Sequence, residues 1–131
     1  MNESAAVLEL RVLLVEDLRV DAEVIVEQLQ RNGFHLAYER VATEPELRAA
    51  LARGEWDLVL SDYNLPGFSG LEALAIVRQT APQLPVVIIS GEGGEETGEQ
   101  AMRLGAQDYV SKQQPQRLVP VVLRELCGTI D

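Results

Sequence analysis

VLSDYNLPG, residues 59–67, holds the feature on which the fold turns: an apolar run stops on Asp62, and Asn64, Pro66 and Gly67 follow at once. Turn formers in such density end a strand. A strand that is apolar at successive positions, not alternate ones, is covered on both faces. The segment therefore reads as a buried strand that emerges from the core on an acid.

The same pattern recurs outward in both directions. A first strand spans 10–16 (LRVLLVE), followed by a helix with Ala22, Ile25, Val26 and Leu29 at helical spacing until Asn32 and Gly33 stop it. A weaker second strand is HLAYERVA. Thr43 caps a second helix with Pro45 and Glu46 in its first turn, Leu47, Ala50 and Leu51 inward, and an end near Gly54. The third strand is DLVLS, and after PGFSG a helix sets Leu71, Leu74 and Val77 on one face. PVVIIS is the fourth strand, GEGGEETG a flexible loop, and a short fourth helix carries Ala101, Met102 and Leu104. QDYVS is the fifth strand, and a last helix from about Gln114 carries Leu118, Val121, Val122 and Leu126. Strand and helix units repeated in this way predict an α/β fold, a parallel sheet with helices on both faces. The first, third and fourth strands belong in its middle.

At 131 residues, one domain over 1–131 with a core of about 10–127 is expected. No apolar run reaches a membrane span, and MNESAAVLEL lacks the basic start of a secretion signal, so a cytoplasmic protein is expected. The single Cys127 excludes an internal disulfide. A net charge of −10 repels a phosphate backbone, which argues against nucleic-acid binding and for a cation site or a basic partner.

Ligands of open parallel sheets sit beyond the carboxyl ends of the strands. Here those ends supply Glu16 and Asp17, Asp62, Ser90, and Ser111 with Lys112. Three clustered carboxylates repel unless a cation joins them, and hard oxygen donors select Mg²⁺ over zinc. The backbone carbonyl of Asn64 is in reach as a further ligand. A carboxylate can attack phosphorus to give an acyl phosphate. Asp62 is placed for that attack, with Lys112 to pair with one phosphoryl oxygen and Ser90 to donate to another. The chain has ten arginines and a single lysine, and that lysine stands at the rim. Taken singly, each acid is a helix cap, yet caps do not account for the set. His35 receives no catalytic role, Trp56 and Tyr109 read as packing residues, and GEGGEE lacks the Lys and Ser or Thr of a phosphate loop. Without metal, at least one of the clustered acids is expected to hold its proton to higher pH than a free carboxyl.

The motifs VLLVED, LVLSDYNLPGFSGLEAL, PVVIIS and GAQDYVSK, in this order and spacing, resemble a response-regulator receiver domain of two-component signalling, from Val12 to about Leu126. The resemblance implies a flavodoxin-like (βα)5 doubly wound fold with strand order 2-1-3-4-5, an order for which a member of this family is a standard example. It implies that Asp62 accepts a phosphoryl group from a sensor histidine kinase or a histidine phosphotransfer protein. Mg²⁺ would be held by Glu16, Asp17, Asp62 and the Asn64 carbonyl. Ser90 and Lys112 would bind the phosphoryl group, and Tyr109 would turn inward as Ser90 moves, reshaping the face of the fourth helix, fifth strand and fifth helix for a downstream protein or an attached output domain. Such a protein is no dedicated enzyme, although it catalyses its own phosphorylation and dephosphorylation. Dimerisation through the last two helices is compatible with this reading.

Two departures stand out. Gln113 follows Lys112 where the family commonly has proline, which disfavours a cis peptide there. Gly91 follows Ser90 where a small residue such as Ala is usual, leaving the phosphoryl group accessible, and Gly93 and Gly94 loosen the loop. Among rivals, an aspartate-nucleophile phosphatase of the haloacid-dehalogenase type needs an acid where Asn64 stands, and a flavin binder would have its phosphate repelled by EDLRVD. A receiver that has lost phosphorylation and only mediates protein contacts remains an alternative, the less economical one because every catalytic group is retained.

Overall fold

The computed structural model describes residues 8–65, 67–91 and 95–128, apart from the side chains at 8, 95–96 and 126–128. Expectations for Pro66, Gly93, Gly94 and the side chains of Leu126 and Cys127 fall outside these residues.

Five parallel strands form the sheet: β1 Leu8–Val15, β2 Phe34–Val41, β3 Leu58–Asp62, β4 Val86–Ser90 and β5 Asp108–Ser111. Their spatial order is 2-1-3-4-5, as the resemblance implied. Every residue of β3 and β4 is buried, whereas the edge strand β2 is buried only at its two ends. Between the strands run α1 Arg19–Arg31, α2 Glu44–Arg53, α3 Gly70–Thr80 and α4 Glu95–Arg103; α5 Leu118–Gly128 follows β5.

Side-chain alternation divides the core in two. Val12 and Leu14, Leu58 and Leu60, Val87 and Ile89, and Val110 pack under α1 and α5. Leu13 and Val15, Val59, and Val86 and Ile88 pack under α2, α3 and α4. Helices thus cover both faces. This parity, carried one step beyond the strand ends, decides where each rim residue points.

Caps set the helix limits. Thr43 accepts from the Glu46 amide while the Glu46 side chain reaches back, and Ser69 does the same with Glu72. Gly54 ends α2 at φ 77°.

Several expectations need correction. β1 ends at Val15, one residue short, although the Glu16 amide still donates to the Val41 carbonyl at 2.9 Å. Leu71 is only half-buried; Ala73 and Ile76 join Leu74 and Val77 on the inner face. Among the described side chains of α4, Ala101 is the one fully buried, while Met102 is 47% exposed and Leu104, beyond the helix, 51% exposed. The last helix begins later, because Pro115–Arg117 forms a 3-10 turn first. After β3 a short antiparallel ladder pairs Asn64–Leu65 with Phe68–Ser69, and no alternation in the sequence announces it. No cis peptide occurs among the described residues, Lys112 to Gln113 included.

Candidate functional site

Strand register assembles the rim. Val15 pairs with Ser61 and Asp62 with Ile89, so Glu16 and Asp62 emerge level with each other; Ser90 pairs with Ser111, so Lys112 follows directly. Backbone bonds continue past the strand ends, from the Tyr63 amide to the Ile89 carbonyl and from the Lys112 amide to the Ser90 carbonyl, both at 2.8 Å. By the alternation of the strands, Glu16, Asp62 and Lys112 point to the α1 side of the sheet. Ser90 and Tyr109 point to the α4 side.

Glu16, Asp62 and Ser90 are buried, with Asp17 half-buried beside them. One carboxylate oxygen from each of Glu16, Asp17 and Asp62 lies within 4.8 Å of the others. Lys112 Nζ stands 2.9 Å from Glu16 Oε1 and 3.1 Å from Asp62 Oδ2. A third carboxylate, Asp21 Oδ2 in the first turn of α1, is nearer still at 2.7 Å. The Glu16 contact is an ion pair without hydrogen-bond geometry, so Oε1 remains buried with no hydrogen-bond partner. Its other oxygen accepts from the Leu18 amide at 3.2 Å.

Neighbouring backbone fixes these groups. Arg40 of β2 donates to the carbonyls of Glu16 and Asp17, at 3.1 and 3.4 Å. Gly70 opens α3 directly against β3, where a Cβ would overlap the Asp62 carbonyl oxygen and lie 2.7 Å from Tyr63 Cα. Glycine alone permits that approach. Asn64 is exposed, with its amide 3.4 Å from Asp62 Oδ1. Gly91 is exposed next to Ser90, and the half-buried Tyr109 ring lies against Gly98 of α4.

Burial pushes the Glu16 carboxyl up to about 7, with the nearby Asp62 charge adding to the shift and Lys112 opposing it. The upward shift in the cluster falls on Glu16, and burial contributes more to it than the acidic neighbour. For Lys112 burial acts to lower the pKa, but the hydrogen bonds it donates to Asp21 and Asp62, with its ion pair to Glu16, outweigh it and the ammonium is held above its ordinary value.

Every rim residue singled out in the sequence lies at the carboxyl end of the sheet. Asp21 was missed. Its signal was present, since it stands one helical turn after Asp17 at the start of α1, but only the strand parity tells that Lys112 points towards that helix. His35 is exposed on the edge strand, away from this end.

A family model described as the response regulator receiver domain matches residues 12–123. The chain belongs to this family. As a receiver it is a signalling module of two-component systems. It is similar to the response regulator protein FleR of Pseudomonas aeruginosa, 36% identical over 123 residues that make up 92% of this chain and 25% of FleR. With the phosphate regulon transcriptional regulatory protein PhoB of Klebsiella pneumoniae it shares 35% identity, covering 78% of this chain and 44% of PhoB. The receiver thus spans less than half the length of either relative. Among solved structures, a LuxR-family two-component response regulator from Aurantimonas sp. SI85-9A1 superposes with a TM-score of 0.82 at 27% identity, covering 92% of this chain and 86% of that one. No helix among the described residues is long and apolar enough to cross a membrane.

Proposed function

We propose that this receiver takes a phosphoryl group onto Asp62 from the phosphohistidine of a sensor kinase or phosphotransfer protein in the cytoplasm, and passes the signal on through its α4, β5 and α5 face. One observation carries the reading: the buried Asp62 carboxylate shares the chain's single lysine with Glu16 at the mouth of the sheet. In the transfer, an Asp62 oxygen bonds to phosphorus as the P–N bond of the donor breaks; the electron pair stays on the imidazole nitrogen, which takes a proton. Lys112 and Ser90 bind the oxygens of the arriving group.

The residues fit a bound Mg²⁺. Their donors are hard carboxylate oxygens close enough to share one ion, and the buried Glu16 Oε1 has a vacant lone pair. Glu16, Asp17 and Asp62, with the Asn64 carbonyl, would hold the ion, which supplies charge neutralisation for the phosphoryl oxygens. The chain would act as one receiver unit over its length, joined in signalling to a separate protein or an attached output domain.

Intact-mass spectrometry after incubation with Mg²⁺ and a small acyl phosphate tests the reading. The wild type is expected to gain one phosphoryl group, and Asp62→Asn or a chelated sample none. Absence of the adduct together with absence of beryllofluoride binding would reject it.

A further inference from the structure

We infer that Asp21 is a positioning residue for Lys112, keeping the ammonium at the rim when Glu16 and Asp62 give their oxygens to a divalent cation. The inference rests on the phosphoacceptor reading of this site. Lys112 Nζ has three carboxylate partners on three separate segments: Glu16 after β1, Asp62 on β3 and Asp21 on α1. Of these, Asp21 is the one outside the group of oxygens close enough to share a metal ion.

The other two partners are contested. An ammonium and a divalent cation repel each other, and both draw on the lone pairs of Glu16 and Asp62. With those two partners alone, Lys112 would have to leave as the cation site filled, and its flexible four-carbon stem allows it to swing into water. Asp21 supplies an anchor that the cation does not contest. The pair is sheltered, with side chains 20% and 34% exposed, so salt screens it less than a surface pair. The Lys112 backbone is tied to Ser90 by its amide, so the side chain alone has to be steered. Held by Asp21, the ammonium remains beside Asp62, where an arriving phosphoryl oxygen needs it.

A double-mutant cycle on the full chain tests this, with Mg²⁺ affinity read by isothermal titration calorimetry for the wild type, Asp21→Asn, Lys112→Gln and the double variant. If Asp21 acts through Lys112, Asp21→Asn weakens Mg²⁺ binding at least about threefold more in the protein that has the lysine than in Lys112→Gln. Lys112→Gln by itself should tighten binding by removing the competitor. Asp21→Glu, which keeps the carboxylate, should recover most of the loss. Equal weakening in both backgrounds would assign the effect to the overall charge of Asp21 and overturn the proposal, as would no weakening in either. Phosphoryl incorporation into the same wild-type sample separates the two claims. A wild type that binds Mg²⁺ and is phosphorylated on Asp62 but gives an additive cycle removes only the role of Asp21; a wild type that does neither removes the parent reading and this one with it.

Discussion

Glu16 is a carboxyl out of water, held by one backbone amide and one ammonium. Its pKa of about 7 in the folded chain, against an ordinary 4.5, makes stability depend on pH. Between those values the folded state keeps a proton that the unfolded chain has lost, so unfolding becomes easier as pH rises through the window. This group's contribution is complete below the unfolded value and gone above the folded one. With about 1.4 kcal/mol per pKa unit, the change is on the order of 3 kcal/mol. Urea midpoints of metal-free protein should fall from pH 5 to pH 8, and Glu16→Gln should flatten the trend. Saturating Mg²⁺ should remove it as well, because the ion binds the charged form. A midpoint that rises across the window would contradict the burial of Glu16 as the cause.

At the start of α3, two adjacent residues separate stability from site geometry. Ser69 caps the helix through the Glu72 amide, so Ser69→Ala should cost about 1 kcal/mol and leave phosphorylation intact. Gly70→Ala places a methyl group onto backbone that yields only at a cost, the Asp62 carbonyl and Tyr63 Cα. It should cost roughly 2 kcal/mol by overpacking and slow phosphoryl uptake as well, because relief comes from moving Asp62. Denaturation midpoints paired with intact-mass time courses distinguish the two, and equal uptake by Gly70→Ala and Ser69→Ala would show that Asp62 is not displaced. Helix α2 was legible because its period and its Thr43 cap agree, and β3 because burying Leu58, Val59 and Leu60, at roughly 2 kcal/mol each, shows in the sequence as an unbroken apolar run leading to Asp62. Met102 and Leu104 were misleading, since both are exposed while the small Ala101 beside them packs into the core. The ladder of Asn64–Leu65 with Phe68–Ser69 was hidden because it is two residues long and has no period to show.

Across the whole molecule, the two faces of the sheet separate the acidic cluster and its lysine from Ser90 and Tyr109. The sequence could list the residues at the strand ends, but a list has no sides; the division appears only once alternation is combined with the helices that cover each face. Glu16, Asp62, Lys112 and Asp21 meet on the α1 side, whereas Ser90 and Tyr109 share the α4 side, with the Tyr109 ring against Gly98. A phosphoryl group on Asp62 shifts a conformational balance only by contacts that differ between the two states. Under the proposed function, Ser90 would make such a contact from the far face, and Tyr109 would be the bulk that then repacks. Tyr109→Ala should therefore accept a phosphoryl group at a rate within about twofold of the wild type, since the ring stands on the opposite side of the sheet from the Asp62 carboxylate. Its hydrogen exchange should no longer respond. In the wild type, beryllofluoride with Mg²⁺ should change amide protection across α4 and β5 while leaving α2, on the far side of α3, as it was. If the α4 response survives in Tyr109→Ala, the signal does not pass through the ring, and a direct pull of Ser90 on the chain that leads into α4 becomes the coupling to test.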